Sequence, residues 1–476
     1  MSTTTNLQTT TTDPLEIVST FIVWLVRGLL IVGDYALHSF RRRPRVDLYY
    51  CFDDAKAHMK VDLAELLKTR VPSLAAGGFR EAWWLPIGDT QTIFSVVGDF
   101  SAVDPIVYER KHIQIADGGL LTIDISPPTN THPIKEGELV VAVAHGLTGG
   151  SHEHYVRAAL THLTAPIESG GLGARAVVLN YRGCNGSPVI TPRLYHAGSS
   201  DDYRTLVSYI CHTFPQSTVF GLGFSLGGNI VAKYVGEEGA NCPLSGAVVL
   251  ANPWDFKRGS EHLEQGTFLN RLVYRYVMGG ALMTLLNLHS DVYLSAPSDQ
   301  LLVSHDYIRR TLSHKKLSLK EVDDLWTAPI WGYKDANDYY AHISSSKVVD
   351  NVSIPLLGIN SRDDPMVADL TLPITEVERN PWIILAVTRG GGHMGWFEQN
   401  PDGTIGRWYV RPITEYFRAL SECDLPARPK PQFVVSDNGW VRQEGRDDVA
   451  FVEKAYLDSF DTFSSGTGES KLFSGF

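Results

Sequence analysis

A serine stands between two glycines where a strand-like segment meets a helix-like one. Gly223-Phe224-Ser225-Leu226-Gly227 follows the apolar run Thr218–Leu222 and precedes a helical pattern at residues 228–236. A sharp turn between a strand and a helix exposes a serine hydroxyl for attack, and it tolerates only small residues two positions away on either side. This context, more than the pentapeptide itself, predicts Ser225 as the nucleophile of an acyl-transfer reaction.

A histidine follows a late apolar run and could activate this serine. The run Trp382–Val387 leads into Gly390-Gly391-Gly392-His393, and the flexible glycines allow the imidazole to reach across to Ser225. A histidine in this position can act as the general base that removes the serine proton. We therefore predict His393 as the base.

An acid that orients the histidine is expected between the serine and the histidine in the chain. The apolar run Ile354–Asn360 leads directly into Ser361-Arg362-Asp363-Asp364-Pro365. We prefer Asp364 because it immediately precedes Pro-Met-Val, and Asp363 is the alternative. The predicted triad is Ser225, Asp364 and His393.

A glycine-containing loop follows the apolar run Leu139–Ala144 and reads His145-Gly-Leu147-Thr-Gly-Gly. In enzymes with such an elbow, an N–H of this loop and the N–H after the nucleophile bind the oxyanion. The predicted donors are Leu147 and Leu226. We expect His145 to support the loop, and its use as a catalytic base is the alternative.

Other chemistry has weaker support. His196 and Asp201 match an H-x-x-x-x-D pattern of some acyltransferases, but in a chain with 16 histidines one such match is expected by chance. The five cysteines never form a C-x-x-C pair, which indicates a reducing compartment and no structural zinc. We predict neither a metal nor a diffusible cofactor.

Short apolar runs alternate with amphipathic stretches from residue 106 onward. After a predicted hairpin of Tyr108–Ile115 and Leu120–Ile125, the strand candidates are Leu139–Ala144, Ala176–Leu179, Thr218–Leu222, Ala247–Leu250, Ile354–Ile359 and Trp382–Val387. Continuous apolar strands joined by helices predict an α/β fold with a mostly parallel, doubly wound sheet.

The segment between Leu250 and Ile354 has a different residue pattern from the strand-containing regions on either side. We predict that it is an inserted helical cap over a ligand crevice. After Leu420 the periodicity disappears. The predicted division is a polar N-terminus with a membrane anchor (1–40), an extension packing on the main domain (41–105), an α/β domain (106–420) with its cap at about 255–350, and a C-terminal tail (421–476).

An apolar run near the N-terminus, Ile17–Gly33, is interrupted by Arg27. It predicts a retained membrane-anchor helix, with an interfacial helix or a buried core helix as alternatives. Arg41, Arg42, Arg43 and Arg45 follow the run, whereas the first 14 residues contain no Lys or Arg. This asymmetry predicts a cytosolic catalytic body on a membrane such as the endoplasmic reticulum or a lipid droplet.

The charge balance excludes one class of partner. With 53 acidic against 42 basic residues the net charge is −11, whereas nucleic-acid binders usually concentrate basic residues on one face. Nucleic acid is therefore not an expected partner.

Six ordered motifs carry a family resemblance. They are WWLPIGDTQT, HGLTGGSHEHYVR, NYRGCNGSP, GFSLGGN, SRDDP and GGGHMGWFE, and they span about Trp83 to Tyr416. In this order they resemble the membrane-anchored α/β-hydrolases that include bacterial YheT-like hydrolases, animal abhydrolase-domain lipases and fungal medium-chain fatty acid ethyl ester synthase/esterases. Asp89 departs from the pattern, because members often have a histidine there.

The resemblance implies an α/β-hydrolase fold with the catalytic residues at Ser225, Asp364 and His393, in agreement with the reading above. It also implies a serine esterase or lipase acting on lipid-like or medium-chain esters. One alternative is an acyltransferase that makes esters from acyl-CoA and an alcohol with the same triad. Another is a catalytically inactive membrane scaffold with this fold.

Overall fold

A large β-sheet organises the part of the chain that the structure describes. The computed structural model describes residues 46–51, 61–455 and 462–465. Its strands are β1 (Val46–Tyr50), β2 (Ile106–Ile115), β3 (Leu120–Ser126), β4 (Leu139–Ala144), β5 (Arg175–Asn180), β6 (Thr218–Phe224), β7 (Gly246–Leu250), β8 (Leu356–Ser361), β9 (Ile383–Thr388), β10 (Phe397–Gln399), β11 (Ile405–Arg407), β12 (Phe433–Val435), β13 (Val441–Gln443), β14 (Ala450–Lys454) and β15 (Thr462–Ser465).

The strand order along this sheet is β1-β9-β8-β7-β6-β4-β5-β3-β2-β14-β13-β12, and β15 also pairs with β2. The six central strands, β4 to β9, are parallel, and antiparallel strands flank them on both sides. A separate hairpin joins β10 and β11. The predicted α/β fold with a mostly parallel sheet is confirmed.

Helices cover both faces of the sheet. They are α1 (Leu63–Arg70), α2 (Gly88–Val97), α3 (His154–Thr164), α4 (Ser200–Thr213), α5 (Leu226–Glu238), α6 (Phe256–Gln265), α7 (Arg275–Leu288), α8 (Ser290–Ser295), α9 (His305–Leu312), α10 (Leu319–Val322), α11 (Ala328–Ile330), α12 (Ala336–Ile343), α13 (Ile374–Val377) and α14 (Val410–Ser421). The apolar faces of α1, α3 and α14 pack on one side, and those of α4 and α5 pack on the other.

The central strands are apolar at consecutive positions because both of their faces are covered. Every residue of β5, β7, β8 and β9 is buried. A strand with only one covered face would alternate apolar and polar residues instead. This is the physical reason that the strand positions could be recognised in the sequence.

Helices α6 to α12 all lie between β7 and β8, in the segment predicted as a cap. Hydrogen bonds connect this segment to the body of the domain. Between α6 and α7, the Tyr274 hydroxyl donates to Asp89 Oδ1 at 2.7 Å, and Asn270 donates to the Pro365 carbonyl. The Tyr293 hydroxyl accepts the Leu194 N–H at 2.9 Å. The cap is therefore fastened close to the loop that carries the predicted acid.

The flanking segments contain strands that were not predicted from the sequence. Strand β1 extends the sheet beside β9, and β12, β13 and β14 extend it beyond β2, although residues 421–476 are predicted as a tail without periodic structure. These last strands are short and partly exposed, so they lack the apolar runs of the centre. Backbone pairing holds them in place: β14 pairs with β2, β13 with β14, and β12 with β13.

The predicted anchor at Ile17–Gly33 lies outside the described residues. Among the residues that are described, no helix has the length and apolar composition needed to cross a membrane.

Candidate active site

Ser225 occupies the turn between β6 and α5. Its backbone has φ of 51° and ψ of −119°, a conformation that residues with a side chain rarely adopt. A Cβ on Gly223 would overlap the carbonyl oxygen of Gly227, and a Cβ on Gly227 would overlap that of Ala144. The two glycines are therefore required by close backbone packing, and the turn presents the serine at the carboxyl end of the sheet.

The three residues predicted as a triad lie together. Ser225 Oγ is 2.8 Å from His393 Nε2, and His393 Nδ1 is 2.8 Å from Asp364 Oδ2. His393 is only 2% exposed and Asp364 4%, so water competes little for these hydrogen bonds. With Nδ1–H donating to the carboxylate, Nε2 can accept the serine proton.

The two neighbouring aspartates have different surroundings. Asp364 Oδ1 accepts the N–H groups of Met366 and Val367, at 2.8 and 2.9 Å, which leaves Oδ2 directed at His393. Asp363 Oδ1 instead accepts the Gly392 N–H at 3.0 Å. The structure thus brings Asp364 to the imidazole and places Asp363 against the backbone of the histidine loop.

Burial raises the pKa of Asp363 to about 7, even though hydrogen bonds from Gly392 N–H and the Ser361 hydroxyl favour its charged form. The charges of Glu81 and Asp364 raise this pKa further. Asp363 therefore titrates near neutral pH while it contacts the loop of His393.

Helix α2 holds the backbone of the histidine loop. The His393 N–H donates to Thr92 Oγ1 at 2.8 Å, and the Thr92 hydroxyl donates in turn to the Gly88 carbonyl at 2.8 Å. Gln91 accepts the Phe397 N–H at 2.7 Å just beyond the loop. Sequence reasoning assigned these two residues no role, although both lie in the motif WWLPIGDTQT that carries the family resemblance.

The two predicted oxyanion donors line the same cavity as Ser225 and His393. In the loop after β4, the N–H groups of Gly146 and Thr148 donate to the hydroxyl groups of two buried tyrosines, at 2.9 Å each. Within the described residues, the N–H groups of Leu147 and Leu226 have no protein acceptor. Both N–H groups are therefore available as hydrogen-bond donors at the cavity.

Both ring nitrogens of His145 lie within hydrogen-bond distance of backbone groups. Nδ1 lies 2.7 Å from the Gly146 carbonyl, and Nε2 accepts the Tyr181 N–H at 3.3 Å. Burial lowers the pKa of His145 to about 3, so the ring is neutral. These contacts fit loop support and leave neither ring nitrogen for Ser225.

An apolar cavity extends from Ser225 beneath the cap. Its apolar side chains come from both the body and the cap helices, and they include Leu147, Leu226, Pro253, Phe256, Leu263, Met278, Leu282, Leu319, Met366 and Val367. Such a lining binds hydrocarbon by removing it from water, at about 25 cal/mol per Å² of buried apolar surface. The site can therefore accommodate an acyl chain next to a nucleophile.

Polar side chains lie in the wall of the same cavity and were not predicted to have a role there. Asp323, Tyr339 and Tyr340 come from the cap, and His196 comes from the loop before α4. Of these, only His196 was singled out in the sequence, for a pattern expected by chance. Positions in the cap follow no motif, so nothing in the sequence marked them.

The part of the chain that the structure describes contains no group of three or more His, Cys, Asp or Glu side chains that could hold a metal ion.

Comparisons with known proteins agree with this architecture. Residues 140–279 match the family model of the alpha/beta hydrolase fold. A monoacylglycerol lipase of Saccharomyces cerevisiae is 29% identical over 400 residues, which cover 76% of this chain and 85% of the lipase. Medium-chain fatty acid ethyl ester synthase/esterase 2 of the same yeast is 29% identical over 432 residues, covering 77% of this chain and 92% of that protein.

A human protein is also similar to this chain. Phospholipase ABHD3 of Homo sapiens is 30% identical over 296 residues, which cover 62% of this chain and 68% of the phospholipase. These relatives are the kinds of enzyme that the six sequence motifs indicated, and they confirm the prediction of a carboxylic ester hydrolase. The chain belongs to the α/β-hydrolase family that includes these lipases and esterases.

Proposed function

We propose that this enzyme hydrolyses carboxylic esters of lipid-like or medium-chain acyl groups through Ser225, His393 and Asp364. The observation that carries the proposal is the continuous chain of hydrogen bonds from Ser225 Oγ through the imidazole to Asp364, at one end of an apolar cavity. No charged group is required from the substrate, because the nucleophile, base and oxyanion donors all belong to the protein.

The first half of the reaction forms an acyl-enzyme. Ser225 Oγ attacks the ester carbonyl carbon while its proton passes to His393 Nε2, and the carbonyl oxygen becomes an oxyanion held by the N–H groups of Leu147 and Leu226. Asp364 stabilises the imidazolium through Nδ1–H. When the tetrahedral intermediate collapses, the C–O bond to the alcohol breaks and His393 donates its proton to the leaving oxygen.

The second half releases the acid. His393 removes a proton from water as the water oxygen attacks the acyl carbon, and collapse of the new intermediate returns the proton to Ser225. The products are a carboxylic acid and a free enzyme. The extent of the apolar lining supports an acyl chain rather than a small polar acid as the group that is bound.

An alcohol could replace water in the second half and give a new ester. One observation favours this second candidate: a relative that covers most of this chain is named a synthase as well as an esterase. In that reaction the acyl donor would be acyl-CoA and the acceptor an alcohol. Product analysis with a decanoyl donor, with and without added ethanol, separates hydrolysis from transfer.

The test of the triad uses the purified full-length enzyme. Ser225→Ala should lose fluorophosphonate labelling and lower ester turnover by several orders of magnitude, because a triad nucleophile contributes on the order of a millionfold in a comparable enzyme. Ser313→Ala, which changes an exposed serine of the cap, is the control and should label normally. Retention of more than about a tenth of the wild-type rate by Ser225→Ala would refute the assignment.

We also propose that residues 1–40 hold the enzyme on a membrane with its body in the cytosol. The support is the apolar run Ile17–Gly33 and the position of Val46, which pairs with Thr388 at the carboxyl end of β9. The chain therefore enters the sheet at the edge that carries His393, so an anchor would keep the cavity near lipid. Deleting residues 1–40 should release the protein from carbonate-washed membranes, and a truncated protein that still sediments with them would contradict the proposal.

A further inference from the structure

A buried carboxyl group lines the acyl cavity on the cap side. Asp323 is 6% exposed and shares the cavity wall with Ser225. The Tyr340 hydroxyl donates to its Oδ2 at 2.7 Å. Among the described residues, no cationic side chain forms an ion pair with Asp323. Burial raises its pKa to about 6, although hydrogen bonds from the Thr327 and Tyr340 hydroxyls and the charge of Lys320 favour its charged form.

Two hydrogen-bond donors share this wall with Asp323. The Tyr339 oxygen accepts the Ala197 N–H at 2.9 Å, which leaves its own proton as a donor. His196 Nδ1 accepts the Gly198 N–H at 3.2 Å, which places the ring proton on Nε2. Burial lowers the pKa of His196 to about 3, so this ring remains neutral at physiological pH.

A plain hydrocarbon would be a poor match for this wall. An alkyl chain packed against a carboxyl, a phenol and an imidazole excludes water from them and offers no hydrogen bond in return. An aliphatic hydroxyl offers both a donor and an acceptor, and so it can bond to Asp323 and to a donor at the same time. The remaining cavity wall is apolar and suits the hydrocarbon that carries such a hydroxyl.

We propose that Asp323 is a specificity-determining residue that accepts a hydrogen bond from an aliphatic hydroxyl of the substrate, with Tyr339 and His196 as accompanying donors. The inference rests on the proposed esterase function and deepens it by naming a substrate class: esters that carry a hydroxyl group on the part lying beneath the cap. That hydroxyl can belong to the acyl chain or to the alcohol, since both would present the same chemistry.

Two pairs of substrates distinguish these sources. The first pair is 1-decanoylglycerol and propyl decanoate, which differ only in hydroxyl groups on the alcohol. The second is ethyl 10-hydroxydecanoate and ethyl decanoate, which differ only in a hydroxyl on the acyl chain. We expect the wild-type enzyme to prefer the hydroxylated member of one pair at least tenfold in kcat/KM, because a site built to bond a hydroxyl discriminates against its absence.

The Asp323→Leu variant should lower this preference at least tenfold, because leucine of similar shape cannot accept the bond. If that variant does not fold, Asp323→Asn replaces it, with an expected loss of at least threefold. Asp324→Asn is the matched control: this neighbouring carboxyl pairs with Lys320 at 2.7 Å and accepts the Ala336 N–H outside the cavity. Its substitution should leave the preference as in wild type.

Three results would overturn the inference: no preference in either pair for the wild-type enzyme, an unchanged preference in the Asp323 variant, or an equal loss on both members of a pair. An equal loss of kcat/KM on both members would mean that Asp323 has only a structural role, through its hydrogen bond with Tyr340 of α12. Failure of the proposed function gives a different result, since the wild-type enzyme would then turn over none of the four esters and Ser225 would not react with fluorophosphonate.

Discussion

The two walls of the cavity are built by different means. On the sheet side, Ser225, Asp364 and His393 stand on turns that directly follow β6, β8 and β9, and each is held by short, specific hydrogen bonds. On the cap side, Asp323 and Tyr339 come from helices in one long insertion between β7 and β8. In the proposed function, the sheet side supplies the reacting groups, whereas the cap side contacts the substrate.

This division predicts different kinetic effects for the two walls. A change on the sheet side should lower kcat for every ester, because it disturbs groups that act in the transition state. A change on the cap side should alter the ranking of substrates. Variants on the two walls should therefore differ in which kinetic constants they change.

The strongest test on the sheet side compares the two adjacent aspartates. Asp364→Asn should lower kcat by about 10⁴, because an amide in place of the acid stabilises the wrong tautomer of the histidine. Asp363→Asn should lower it by less than about tenfold, since its contact is with Gly392 N–H, which an amide oxygen can also accept. Steady-state kinetics of both variants measure the ranking, and the reverse order would transfer the role to Asp363.

A smaller effect is expected at the support of the histidine loop. Thr92→Val keeps the side-chain shape but removes the acceptor for the His393 N–H, so kcat should fall by about 10- to 100-fold while KM changes little. Thr92→Ser retains the hydroxyl and should restore most of the rate. If the valine variant keeps the wild-type kcat, the loop does not depend on α2.

The cap side should respond in a substrate-dependent way. Met278 of α7 lines the cavity, and Met278→Trp should lower kcat/KM for a decanoyl ester about tenfold more than for an acetyl ester, because the larger ring fills space needed by the long chain. Val277→Trp is the control, since Val277 is 40% exposed. Equal losses on both esters would show that the acyl chain does not lie along α7.

The contrast between the two walls also explains which features could be predicted from the sequence. The strands could be predicted because buried parallel strands are largely apolar, and the residues of the proposed triad stand on the loops that follow three of these strands. The sequence favours Asp364 over Asp363 through the following Pro-Met-Val and the family resemblance, and only the structure shows that their carboxyl groups contact different partners.

The rest depends on contacts between residues far apart in the chain. Thr92 accepts the N–H of His393, which lies 301 residues later in the chain, and Asp323 lines the cavity from the inserted cap. Neither residue lies in a periodic or glycine-rich pattern that indicates its partner. Strands β12 to β14 were missed for a related reason, since their order comes from the pairing of β14 with β2 and of β12 and β13 with their neighbours rather than from a long apolar run.

The smallest predicted effect concerns stability, at Asp363 beside the proposed triad. Burial raises the pKa of Asp363 to about 7 in the folded protein, whereas an aspartate in the unfolded chain has a pKa of about 3.9. The folded state therefore binds this proton more tightly, and its contribution to stability is complete below about pH 4 and is lost as the pH rises through about 7.

Asp363→Asn removes this titration and keeps an oxygen for the Gly392 N–H. The Tm of the variant relative to wild type should therefore be higher at pH 8 than at pH 5, by a few °C, since about 1 kcal/mol corresponds to roughly 2–4 °C in a domain of about 150–250 residues and to less in a larger one. Thermal unfolding at both pH values measures it, with Asp299→Asn as a control that removes an exposed carboxylate from the cap. A relative Tm that is the same at both pH values, or lower at pH 8, would mean that Asp363 is already charged in the folded enzyme at pH 5. Its carboxylate would then strengthen the histidine loop from the sheet side rather than weaken it.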